Sequence, residues 1–77
     1  MDDAVPGQIY LSDNGAFKLR VLSNPSYHGG RREYPWRVEA SAARRDWWQV
    51  AAHVPDLQAA AIKVETWRHW LHAPSVL

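Results

Sequence analysis

The sequence predicts a two-layer α+β domain: three or four antiparallel strands with one C-terminal helix packed across one face of the sheet. Three observations carry this reading. The pair Asn14-Gly15 stands between apolar stretches, the strongest short-range signal for a hairpin. Strict alternation of apolar and charged residues then marks 17–21 and returns at 36–40, the period of a half-buried strand. Beyond Pro55 the apolar residues fall instead on one stripe of a helix. A chain of 77 residues is about half the ~150 of an ordinary domain, which leaves room for one core.

Residues 1–7 carry two acids, Pro6 and Gly7 without apolar periodicity, and are expected as a flexible arm before a single domain over 8–73. Residues 8–11 form a short first strand, and Ser12-Asp13-Asn14-Gly15 turns the chain. In the second strand Phe17, Leu19 and Val21 share one face, with Lys18 and Arg20 on the other. Residues 23–35 are dense in turn formers and include Arg31 and Arg32, so a flexible cationic loop is expected there. Pro35 favours an extended approach to the third strand, where Trp36, Val38 and Ala40 face inward and Arg37 and Glu39 outward. Residues 47–52 have the aromatic and β-branched content of a fourth strand. Trp47 and Trp48 must then face opposite sides, and Trp48, in phase with Val50 and Ala52, is assigned inward.

Val54-Pro55-Asp56 ends that strand, and Asp56 is placed to cap a helix over 57–72. Leu57, Ala60, Ala61, Val64, Trp67 and Leu71 lie on the stripe that covers the sheet; Pro74 stops the helix, and 74–77 form a tail. The expected core is Trp36, Trp48, Val64, Trp67 and Leu71. Five Trp among nine aromatic residues supply bulk that a short chain otherwise lacks.

Composition narrows the function. Nine Lys and Arg against eight Asp and Glu give +1, far from the balance of a general nucleic-acid coat. With no Cys there is no disulfide framework or thiol nucleophile, which suits a reducing cytoplasm. No apolar run approaches a membrane span and the start is acidic, so neither membrane nor export is expected. No Gly-x-Ser-x-Gly element, phosphate loop or paired-carboxylate arrangement occurs, and the reading is not an enzyme and without cofactor.

Two surfaces remain. The segment 18–45 holds Lys18, Arg20, Arg31, Arg32, Arg37, Arg44 and Arg45 against Glu33 and Glu39, so it nets +5 while the rest nets −4. With Trp47 outward, its sheet face has the cations and the indole that contact a nucleic-acid backbone or a partner. The competing reading is a face kept polar for solubility alone. On the helix, Ile62 and Trp70 point away from the sheet and suit a protein interface or a homodimer seam, unless the chain's own ends cover them. Glu65, His69 and His72 share a helical face in the pattern of a two-His, one-carboxylate set. No further ligand converges on them, and no metal is expected.

Three strands bearing Arg and Trp before one helix make the architecture similar to the DNA-binding domains of plant ethylene-response factors and to the arm-site-binding domains of tyrosine integrases. That resemblance implies a sheet entering the major groove; it spans 17–71, without a shared motif, and transfers no residue. The chain also begins with Met and closes its fold near its end, which reads as a complete small product. In size and style it resembles the small inhibitor and accessory proteins of phages and mobile elements, anti-CRISPR proteins included. The expected function is therefore stoichiometric association with a protein or nucleoprotein target, with sequence-specific double-stranded DNA binding as the alternative and a small enzyme third.

Overall fold

The computed structural model describes residues 2–24 and 34–70, the side chain of Trp70 excepted. In chain order it contains β1 (Tyr10–Leu11), β2 (Phe17–Ser23), β3 (Trp36–Ala42), β4 (Gln49–Val54) and α1 (Leu57–Trp70). The strands form one antiparallel sheet in the order β1-β2-β3-β4, and α1 contacts all four of them. This is the two-layer α+β fold that the alternation and the helical stripe predict.

The β1–β2 turn runs over four residues, 13–16, where the Asn-Gly signal favours two. Ser12 N donates to Phe17 O at 2.9 Å and Gly15 N to Ser12 O at 2.9 Å, while Gly15 takes a φ of +74° that a side chain would strain. The Asn14 carboxamide oxygen accepts from Ala16 N and from the Ser12 hydroxyl, satisfying donors that the turn would otherwise leave open. β1 is correspondingly short, although Gly7 N still reaches Val21 O at 2.9 Å.

Antiparallel partners share a sheet face, so the register of β2 on β3, Leu19 opposite Ala40 and Val21 opposite Val38, stacks the apolar positions under α1. Leu19, Val21 and Val38 are the largest fully buried side chains, and Val54, Ala60, Val64 and Ala4 complete the core. Each such aliphatic side chain contributes about 1.5–3 kcal/mol on burial. Val64 holds its expected place, whereas Trp36 and Trp67 are only half-buried against the rim of this cluster. Leu71 lies outside the described residues. The centre is aliphatic because Ala60, wholly buried on α1, lets the helix approach the sheet too closely for an indole between them.

Trp48 is not in the core. β4 pairs Ala52 with Val38 but Val50 with Glu39, so Ala51 is an extra residue in a β-bulge. One inserted residue reverses the side-chain phase beyond it. Val50 therefore shares the face of Glu39, Ala52 and Val54 share the helix face, and Trp48 joins the cations on the far side.

Both ends of α1 are fastened. Asp56 Oδ1 accepts from Ala59 N at 2.7 Å, the expected N-cap. At the other end Arg68 O accepts from Asp13 N at 3.1 Å, and Arg68 Nε donates to Leu11 O at 2.8 Å. Residues 2–7, expected as an arm outside the domain, are docked: Ala4 is in the core and its N donates to Leu57 O at 3.1 Å. Val5 N meanwhile donates to the Tyr10 hydroxyl.

Candidate functional site

The sheet face turned away from α1 is laid out by the same registers. Leu11, Lys18 and Ser41 form one row; Arg20, Glu39 and Val50 the next; Leu22, Arg37 and His53 the third. A carboxylate occupies the centre of this face. Glu39 is only 6 % exposed, and each of its oxygens receives one guanidinium: Arg20 Nε on Oε1 at 2.7 Å and Arg37 Nε on Oε2 at 2.7 Å. Burial alone raises the Glu39 carboxyl, but the hydrogen bonds from Arg37 and Arg20 and the charges behind them outweigh it, holding its pKa below the ordinary carboxylate range. Arg37 is committed further, with Nη1 donating to Ser23 O at 2.8 Å.

Trp48 lies beside this ion-pair group. The Arg20 guanidinium is centred 4.0 Å from its ring and the Lys18 ammonium 5.1 Å, both within reach of the ring's negative face. Lys18 Nζ also donates to Arg45 O at 2.6 Å, pinning the β3–β4 turn to β2. The three strand cations are thus each held by a carboxylate, a carbonyl or an indole. Arg20 and Arg37 consequently support the fold: removing both would leave Glu39 charged and buried without a partner, a change the fold is not expected to ignore.

The turn is built differently. Arg44 and Arg45 are exposed, and among the described residues their side chains make no hydrogen bond or ion pair. Trp47 follows at 55 % exposure, with Val50 at 45 % beyond it. An open groove lined by Asn14, Gly15, Ala16, Ala42 and the two arginines joins this turn to the β1–β2 hairpin.

Other expected residues fall elsewhere. Arg31 and Arg32 lie outside the described residues. Ile62 is 52 % exposed on α1; the Trp70 side chain that would extend its patch lies outside them too. Glu65 pairs with Arg68 at 2.9 Å and His69 with Asp13, so two members of the supposed ligand trio face different partners, and His72 is undescribed. Among the described residues no group of three His, Asp or Glu is arranged to hold a metal, and every buried side-chain N or O atom has a hydrogen-bond partner.

Sequence reasoning missed two connections. Glu39 reads as a solubilising charge until β2 and β3 are in register, although Arg37 two residues away is a signal for it. Asn24 closes the base of the β2–β3 connection: Nδ2 donates to Tyr34 O at 2.8 Å and approaches Trp36 O and His53 Nδ1. Nothing local to Asn24 announces partners so distant in sequence.

Compared with protein-family models, curated proteins and solved structures, the chain matches none of them. Among the described residues no helix is long and apolar enough to cross a membrane.

Proposed function

We propose that this chain is a small, non-enzymatic binding protein that sets its exposed β3–β4 turn, with Arg44, Arg45 and Trp47, on an acidic patch of a protein or nucleoprotein target. An inhibitor or accessory factor of the phage or mobile-element type, anti-CRISPR-like in style and acting in the cytoplasm, is the setting in which such stoichiometric binding is useful. The observation that carries the reading is the division among the cations: Arg20 and Arg37 are spent on Glu39, whereas among the described residues Arg44 and Arg45 stand unpaired, close in the chain to an exposed Trp47. Binding along a duplex gains its affinity from cations that neutralise phosphates, and a phosphate brought to Arg20 or Arg37 meets the Glu39 carboxylate as well. Arg and Trp at one corner are instead the residue types that dominate protein interfaces.

Sequence-specific double-stranded DNA binding is the second reading, and one observation favours it. Glu39 takes only the Nε–H of Arg20, so the terminal N–H groups stay unbonded among the described residues and are held in place by the carboxylate, as a base-reading arginine would be.

The test is capture from a nuclease-treated lysate of the native host by the immobilised chain and by the triple variant R44A/R45A/W47A. The proposal expects a protein retained by the wild type and lost by a variant whose circular dichroism is unchanged. Equal retention by both, or no protein retained from treated and untreated lysates alike, overturns it.

A further inference from the structure

The sheet has two edges of unequal kind. β1 offers two residues, Tyr10–Leu11, and is flanked by the docked segment 2–7. β4 offers six, Gln49–Val54, and among the described strands it pairs with β3 alone. Edge strands are ordinarily guarded against further pairing by lysine, by proline, by an inward charge or by a bulge. β4 has only the last, at Ala51: its residues are Gln, Val, Ala, Ala, His and Val, and four of the six are exposed.

We infer that the β4 edge is a self-association surface, on which a second copy of this chain pairs antiparallel to make one continuous eight-stranded sheet with both helices on the same side. Two features of β4 select a second copy as the occupant. A strand that meets its own image around a two-fold axis must not bring like charges together, and β4 is free of Lys, Arg, Asp and Glu throughout.

The second feature is the bulge. In a regular six-residue strand, positions placed symmetrically about the centre face opposite sides of the sheet, so pairing about that centre is forbidden. The extra Ala51 removes the mismatch. Val50 and His53 now share the open face, opposite Glu39 and Arg37, while Gln49 and Val54 share the helix face, opposite Ala40 and Trp36. A two-fold centred at Ala51 and Ala52 sets Val50 against the second copy's His53, and Gln49 against its Val54, each on a matching face. Val50, 45 % exposed in the single chain, is covered in the pair. The pairing runs along the sheet edge, so Arg44 and Arg45 at the β3–β4 turn stay open and would be presented twice.

The absence of Cys in the chain makes the test direct. Sedimentation equilibrium of the wild type is expected to show, as concentration rises, a mass twice the 8.8 kDa of one chain. Ala51→Glu, which brings two carboxylates to neighbouring positions at the centre of the seam, is expected to return the mass to that of one chain with unchanged circular dichroism. Ala51→Cys is expected to form an interchain disulfide on mild oxidation, and Ile62→Cys to form none under the same conditions. A wild type that stays monomeric into the millimolar range overturns the inference. So does a dimer that persists in Ala51→Glu, or one that crosslinks through Ile62→Cys and not Ala51→Cys, which would move the seam to the helix.

Discussion

The two faces of one sheet are stabilised by opposite means. Beneath α1 the strands present Leu19, Val21, Val38 and Val54, all buried, with no ionised group among them. On the other side the same strands surround a nearly buried carboxylate with two guanidiniums, an ammonium and an indole. The first face gains from removal of apolar area from water and tolerates little loss of volume. The second gains from mutual satisfaction of charges, so its parts depend on one another and on pH. A cationic sheet in the sequence is therefore a folded arrangement in which much of the charge is already answered, and among the described residues of 18–45 the unanswered part lies at the β3–β4 turn.

Truncation on the helix face should break this contrast most severely. Leu19→Ala removes a fully buried side chain and is expected to cost about 2–5 kcal/mol, read from the urea midpoint at unchanged slope. A cost under about 1 kcal/mol would mean that the core closes over the gap.

Glu39→Gln probes the opposite face. It leaves two guanidiniums sharing a neutral amide, and because both arginines are partly open to water the expected cost is about 2–3 kcal/mol, below that of a fully buried pair. The pH dependence has a definite sign. The folded pKa of Glu39 lies below its unfolded value, so its contribution is fully present above the ordinary glutamate pKa and is lost as pH falls through the lower folded value. Between about pH 5 and 8 this group should leave stability flat. In acid the wild type should lose more stability than Glu39→Gln, and parallel acid profiles for the two proteins would show that Glu39 is not what titrates.

The adjacent indoles give the smallest effect and the sharpest discrimination. Trp48→Ala removes a half-buried ring under Arg20 and Lys18 and should cost about 1–2 kcal/mol. Trp47→Ala should stay within about 0.5 kcal/mol of the wild type, as surface substitutions do. The reverse order would place the bulge one residue away from Ala51.

How far the sequence revealed this can be followed through those same residues. Periodicity located β2, β3 and α1, aromatic and β-branched content located β4 two residues early, at 47–52 for Gln49–Val54, and Asp56 marked the cap, because those signals are local. The face of Trp48 depends on one inserted residue, and a bulge leaves no mark in a run such as Val-Ala-Ala. Ala4 was equally hidden, since a single small residue without periodicity does not announce that it fills the core. At the site, the strand cations Lys18, Arg20 and Arg37 and the exposure of Trp47 were legible, but it was not legible that the indole beside those cations is Trp48, where alternation assigns Trp47, nor how the cations divide into spent and unspent. That division depends on Glu39 lying opposite Arg20 across two strands, a pairing fixed only when the sheet is in register.

Titration of the chain with mixed-sequence duplex DNA at low salt, followed by tryptophan fluorescence, tests most directly whether the open face is balanced within the fold. Arg20 and Arg37 are answered by Glu39, and Lys18 by Arg45 O and Trp48, so the account predicts no saturable binding. Tight binding that weakens steeply with added salt, as when several phosphates are neutralised at once, would contradict it and assign this face to the duplex.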